Sequence, residues 1–200
     1  MSRSFMDAIA HRRSFYALKN ESPISDKEIH KLVQQVVTYV PSAFNTQSTR
    51  MVVLLDDKHI KLWELVKKVL KALIPTEAFA NTEAKINGAF QSGYGTILFY
   101  EDVPTILNMQ EQFPLYADNF PVWSEQTNGM HQLAVWTALE DAGFGASLQH
   151  YNPLIDEIVA REFNIDLHWK LRGQMPFGVP VGEAAEKTFL PIEDRVLFLK

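Results

Sequence analysis

Between Ser25 and Asp57 the apolar residues change period once, and that switch restricts the chain to folds in which helices pack against a sheet. Ile29, Leu32, Val33, Val36, Val37 and Val40 recur at helical spacing, a stripe that must be covered. Ser25 and Glu28 have the spacing of a capping box, and Ile24 is placed to staple onto Ile29. Pro41 ends the helix. The run TRMVVLLDD that follows reads as a buried strand through Leu55, with two aspartates available to cap the next element.

The rest of the chain continues the alternation. Ser4 to His11 reads as a helix with Phe5, Ala8 and Ile9 on one face. From Lys58 to Leu73, Leu62, Leu65, Val66, Val69, Leu70 and Leu73 form an apolar face; Lys61, Lys67, Lys68 and Lys71 form the opposite one, expected to be solvated. A shorter helix covers Thr76 to Phe90, the turn SGYG leads into the strand TILFYED, and a helix spans Val103 to Gln112. Phe113 to Trp123 is aromatic and without regular period. Asn128 to Ala142 is a helix apolar on most sides, which predicts deep burial, and Gly143 stops it. FGASLQHY reads as a strand, NPLIDEIVAREFN as a helix, and WKLRGQMPFGVPVG as a strand interrupted by Pro176. The terminal RVLFLK is extended and apolar, so it is expected to pack on something, another chain being a candidate. Without repeats or linkers, residues 1–200 read as one α+β domain with a central mixed β-sheet flanked by helices.

Several chemistries are excluded. A net charge of −5 argues against a general nucleic-acid binder. The absence of cysteine removes disulfides, thiolate catalysis, iron–sulfur clusters and cysteine–zinc sites. The N-terminal sequence lacks the apolar core of a signal peptide and no run reaches membrane-spanning length, so no membrane role and a cytoplasmic location are expected. GFGASL from Gly143 lacks the third glycine of a dinucleotide fingerprint and follows a helix rather than a strand, and there is no Walker lysine. His11, His30, His59, His131, His150 and His168 are scattered without ligand spacing, so no metal site is expected, and there is no G-x-S-x-G elbow. Asp56–Asp57 and Glu193–Asp194 fall where caps and turns put carboxylates.

Two polar clusters remain. Arg12 and Arg13 follow the first helix, where cations either complement a helix dipole or meet an anion. PSAFNTQSTR, from Pro41 to Arg50, offers many donors and acceptors in a short loop. HRRSFYAL, PSAFNTQSTR and the closing GEAAEKTFLPIEDRV, in that order over nearly the whole chain, resemble the nitroreductase family, most closely its short, Frm-type branch.

The resemblance implies an FMN-dependent fold and an intertwined homodimer with FMN at the subunit interface. It assigns Arg12 and Ser14 to the FMN phosphate and ribityl chain, with Arg13 between them, and Lys187 as a second phosphate-side cation. Ser42, Asn45 and Gln47 match the segment that crosses from the partner to the flavin. Gln149 and His150 match the place where backbone N–H groups approach N5 and O4. Tyr16 stands where larger members carry a basic residue near N1 and O2, and Phe189 where one near the phosphate is often found; Arg50 is the candidate to compensate. The implied reaction is a ping-pong transfer of two electrons from NADH or NADPH to nitroaromatic or quinone-type acceptors, with no catalytic side chain required. Phe113 to Trp123 then either covers the active site or is a packed surface loop. Two other readings stay open: a flavin-binding regulatory or sensor protein in oxidative-stress or lipid signalling with little turnover, and a structural protein that binds no flavin.

Overall fold

The computed structural model describes residues 3–200. Helix α2 (Asp26–Tyr39) opens with the reciprocal cap: Ser25 Oγ accepts the Glu28 amide at 3.3 Å, and Glu28 Oε2 accepts the Ser25 amide at 2.8 Å. Ile29 and Val33 are buried, whereas Val37 stays 40% exposed, so the stripe is covered over only part of its length.

Strand β2 (Thr49–Leu55) pairs with β3 (Gly95–Asp102), and β3 pairs with β5 (Trp169–Pro180). The two-residue strands β1 (Leu18–Lys19) and β4 (Gly145–Ala146) both add to β5, giving the order β1-β5-β3-β2 with β4 off that path. Every ladder is antiparallel; mixed character enters through one parallel bridge, Ser14–Ala146. Central β3 is buried from Gly95 to Glu101, and its alternating side chains feed two cores. Ile97 and Phe99 pack with α2 and with α6 (Asn119–Asp141), the helix that follows α5 (Val103–Gln112). Leu98 and Tyr100 pack with α3 (Asp56–Leu73) and α7 (Asp156–Phe163). With both faces covered, the strand reads as an unbroken apolar run.

The structure corrects the sequence reading at several points. Helix α6 begins nine residues before Asn128, so Phe113 to Trp123 is not aperiodic: it is the 3₁₀ turn Pro114–Tyr116 followed by the first turn of α6. Pro121 is tolerated there because first-turn amides have no intrahelical acceptor. β5 runs through Pro176 without interruption. The Pro176 carbonyl accepts the Ser147 amide, so its missing N–H faces the short β4 side and costs the β3 ladder nothing. The irregularity lies instead at Arg172, the extra residue between the pairs Phe99–Gly173 and Tyr100–Leu171. FGASLQHY shrinks to β4 plus an isolated bridge from Gln149 to Gln174. The helix expected from Asn152 starts only at Asp156, and Thr76 to Phe90 divides into α4 (Thr76–Ile86) and a π turn, Asn87–Gln91.

Lys67 also departs from the expected solvated face: it is buried, and its Nζ donates to Glu64 Oε1, Asn87 Oδ1 and Gln91 Oε1 at 2.7, 2.7 and 2.9 Å. Three acceptors offset the cost of burying the ammonium and tie α3 to the π turn. Lys61 and Lys71 are engaged too, with Glu162 and the Phe79 ring. Among the described residues no helix is long and apolar enough to cross a membrane. Beyond β5 the chain runs exposed, with Leu197, Phe198 and Leu199 79%, 87% and 84% accessible.

Candidate functional site

Helix α1 (Phe5–His11) is capped by Ser4 and ends as the Arg12 amide donates to the Ala8 carbonyl. From there the chain turns onto β4: Ser14 bridges Ala146, and the Phe15 amide donates to the Ala146 carbonyl at 3.0 Å. Gly145 permits the approach, since a Cβ there would lie 3.0 Å from the Phe15 side chain and 2.9 Å from Pro180. The C-terminal segment returns alongside: the Val181 amide donates to the Ala17 carbonyl at 2.9 Å, and the Arg13 guanidinium donates to the Ala185 carbonyl. Between the two segments lies a cleft of about 480 Å³ that Arg12, Arg13, Ser14, Tyr16 and Lys187 line together.

Cations outnumber anions in this cleft, which Glu183 and Glu186 also line. Arg12, Arg13 and Lys187 converge on it, and none forms an ion pair among the described residues. The Arg12 guanidinium lies 4.3 Å from the centroid of Trp136, its buried Nε has no hydrogen-bond partner, and burial, then the neighbouring Arg13 charge, lowers its pKa. Lys187 sits over Phe189 at 5.0 Å. The helix-dipole explanation fails on these positions, because the two guanidinium groups face Trp136 and Ala185 rather than the last carbonyls of α1. A second cleft, of about 340 Å³, shares Arg12 and Ser14 and adds Gly129, Gln132 and Trp136 from α6 together with Leu148. Gly129 leaves its floor open: nothing lies within 4 Å of where a Cβ would stand.

The other candidates sit apart. Ser42, Asn45 and Gln47 line neither cleft. Their loop holds Phe44, Asn45 and Gln47 at φ of 53°, 54° and 51°, a concentration of left-handed non-glycine backbone that marks stored strain. Ser42 Oγ accepts the Gln47 amide at 2.9 Å, Arg50 Nη1 donates to the Gln47 carbonyl at 2.7 Å, and the Phe44 ring lies 4.9 to 5.7 Å from those of Phe113, Tyr116, Phe120 and Trp123. The loop is rooted in a buried carboxylate: Ser48 Oγ and Thr49 Oγ1 donate to Glu101 at 2.5 and 2.6 Å, and Asn128 Nδ2 adds a third bond at 2.8 Å. Arg50 is ion-paired with Asp102 at 2.7 Å on the edge strand β2, away from the cationic cleft. The Gln149 amide donates to the Gln174 carbonyl at 2.7 Å, and the neighbouring His150 is exposed.

Sequence reasoning missed the α6 contribution. Asn128, Gln132, Trp136 and Glu140 stand four residues apart, one row of polar and aromatic groups on a helix read as apolar on most sides. Gln132 Nε2 donates to Asn128 Oδ1 at 2.7 Å, so the row links the Glu101 cluster to the second cleft.

A model of the nitroreductase family matches residues 9–179. The chain belongs to the nitroreductase family. It is 32% identical over 189 residues to nitroreductase FRM2 of Saccharomyces cerevisiae, covering 94% of this chain and 93% of that protein, and equally so to the putative nitroreductase HBN1 of the same yeast. Among solved structures, nitroreductase CinD from Lactococcus lactis in complex with nicotinic acid superposes with a TM-score of 0.91 at 47% identity, over 98% of this chain and 100% of that one. The same enzyme in complex with 4-nitrophenol gives a TM-score of 0.88. A putative nitroreductase in complex with FMN from Desulfovibrio desulfuricans, 17% identical with a TM-score of 0.70, shares the fold. The nitroreductase-like fold is thus common to all of these, and the chain is an oxidoreductase by family.

Proposed function

We propose that this nitroreductase-family chain is an FMN-dependent oxidoreductase that takes two electrons from NADH or NADPH and passes them to nitroaromatic or quinone-type acceptors by a ping-pong cycle. The observation that carries the reading is the convergence of Arg12, Arg13 and Lys187, from opposite ends of the sequence, on a cleft where, among the described residues, none of them is ion-paired even though Glu183 and Glu186 also line it. A dianionic phosphate suits that arrangement, since it accepts charge-assisted hydrogen bonds worth about 1.5–3 kcal/mol each. The orphaned Arg12 Nε and the open floor at Gly129 fit a group larger than a lone anion. Bound FMN supplies the hydride chemistry. Arg12, Arg13 and Lys187 would hold its phosphate and Ser14 the phosphate–ribityl junction. Tyr16 offers a hydroxyl in place of a charge. Of the two amides expected to face the ring, that of Gln149 is occupied by Gln174, leaving that of His150.

The site is completed by a second copy in this reading. Ser42, Asn45 and Gln47 line neither cleft of their own protomer, so the intertwined homodimer is what would bring them to FMN at the interface. Two features support it: β2 is an edge strand beside a groove of about 860 Å³ lined in part by Val37, Met51 and Val53, and the apolar tail Leu197–Leu199 stays largely exposed among the described residues. Phe44, Phe113 and Tyr116, each partly exposed, would then lie beside a planar acceptor. CinD, solved with 4-nitrophenol and with chloramphenicol, is consistent with that acceptor class.

The test is an absorption spectrum of the purified protein, followed by anaerobic NADH and NADPH oxidation with and without a nitroaromatic. A flavin spectrum and acceptor-dependent oxidation are expected. A colourless protein that takes up no FMN, or a flavoprotein with negligible turnover, overturns the proposal.

A further inference from the structure

We propose that Glu140 is a positioning residue for the phosphate-binding cations, clipping α1 to α6 so that Arg12 is delivered to the cleft; this rests on the reading of Arg12 as a phosphate ligand. Glu140 occupies an unfavourable place. It is buried, in the last turn of α6, where the helix dipole disfavours an anion and no basic residue shares the turn. Burying a carboxylate there costs several kcal/mol unless partners meet it; Oε1 has two, a guanidinium and an imidazole, while the buried Oε2 has no hydrogen-bond partner among the described residues. Glu140 Oε1 lies 2.8 Å from Arg3 Nη1 and 2.7 Å from His11 Nδ1, and the Arg3 amide donates to Asp141 Oδ1 at 2.8 Å. Arg3 lies just before α1 and His11 is its last residue, so both ends are held, and α1 has only seven residues, too few to hold a helix unaided.

The consequence falls on the next residue. His11 meets Glu140, and Arg12 lies over Trp136, one turn earlier on α6. Two successive residues of the N-terminal segment therefore dock on two successive rungs of one helix face, and Ser14 and Gln132 meet at the second cleft below them. The carboxylate acts on Arg12 through this docking. The groups that lower the Arg12 pKa are its own burial and Arg13, so Glu140 is not its electrostatic partner. The two possible roles predict opposite signs. A negative charge acting directly on bound phosphate would repel it, so removing that charge would tighten FMN. A clip that positions Arg12 would, when broken, weaken FMN while leaving riboflavin, which lacks the phosphate, unaffected.

The experiment titrates the full-length chain, stripped of cofactor, with FMN and with riboflavin, for wild type, Glu140→Gln, His11→Ala and Arg12→Ala. Glu140→Gln is expected to weaken FMN about tenfold with riboflavin unchanged, and His11→Ala to show the same selectivity, which keeps the test available should Glu140→Gln not fold. Unchanged or tighter FMN in both variants, or equal losses for FMN and riboflavin, overturns the proposal while a selective loss in Arg12→Ala leaves the phosphate assignment standing. If Arg12→Ala itself leaves FMN affinity intact, the phosphate assignment fails and the role of Glu140 fails with it.

Discussion

Replacing Glu101 tests whether the strained loop is held by its buried root. Glu101 is fully buried and accepts Ser48 Oγ, Thr49 Oγ1 and Asn128 Nδ2, and these donors are themselves 1%, 4% and 1% exposed. In Glu101→Ala all three lose their acceptor. A buried donor without a partner costs about 1–3 kcal/mol. Asn128 retains the Tyr100 carbonyl at 3.2 Å, and the hydroxyls can rotate toward water entering the cavity, so the sum lies near the lower end, about 3 kcal/mol. The opposing effect is relief of the carboxylate's own desolvation, which would dominate if the carboxylate were poorly satisfied. Both of its oxygens are bonded, so the loss wins. Glu101→Gln keeps an oxygen for Thr49 and Asn128 and turns an amide to Ser48, whose hydroxyl can accept, so about 1 kcal/mol is expected. Urea unfolding measures both values, and limited proteolysis within residues 42–47 should accelerate in the alanine variant. An alanine variant within about 0.5 kcal/mol of wild type would refute the reasoning.

Gly145→Ala forces a methyl group against Phe15 and Pro180, so a destabilisation of about 1–3 kcal/mol and weaker FMN binding are expected; thermal melting and flavin titration check it, and a neutral result contradicts the tight seating of Ser14 on β4. Deleting residues 195–200 should convert the protein to monomers that release flavin, as read by sedimentation and filtration, and a flavin-loaded dimer after deletion would sink the role given to the tail. His59 and His131 are buried and their pKa values are lowered below 6.5 by burial. Unfolding restores the ordinary value, so the unfolded chain binds more protons below it. Their contribution is therefore complete above pH 6.5 and is lost as the pH falls toward the lowered native values, at up to about 1.4 kcal/mol per unit and histidine. Urea midpoints that stay level between pH 7.5 and 5.5 would contradict the sign.

What was legible in the sequence follows the range of the interactions involved. The capping box at Ser25 and Glu28 spans three residues and carries its own geometry, so it was readable and forms as expected. Lys67 was misread because its three acceptors come from two separate stretches of chain, and periodicity alone placed it with its exposed neighbours. The extra residue at Arg172 leaves no mark in composition, whereas Pro176 leaves a strong one that the sheet renders harmless.

The cleft shows the same division. Arg12, Arg13, Ser14 and Lys187 were nominated by resemblance, and the fold brings them together; the α6 row from Asn128 to Glu140 was hidden because its buried ends, Asn128 and Glu140, meet partners distant in sequence. A buried polar residue on an apolar helix is expensive unless a partner waits for it. Asn128, Gln132 and Glu140 each have one: Glu101, Asn128 and the Arg3–His11 pair. Their four-residue spacing can arise from packing alone, but partnered side chains on successive rungs have a further effect: they fix which stretch of chain lies over which turn. Slipping the N-terminal segment by one residue so that Ala10 stood opposite Glu140 would take the His11 imidazole from the carboxylate and lift Arg12 off Trp136. An apolar face would tolerate that slip at little cost, whereas this row penalises it by leaving a buried carboxylate unmatched, so the register of α1 on α6 and the direction of the Arg12 guanidinium are set together.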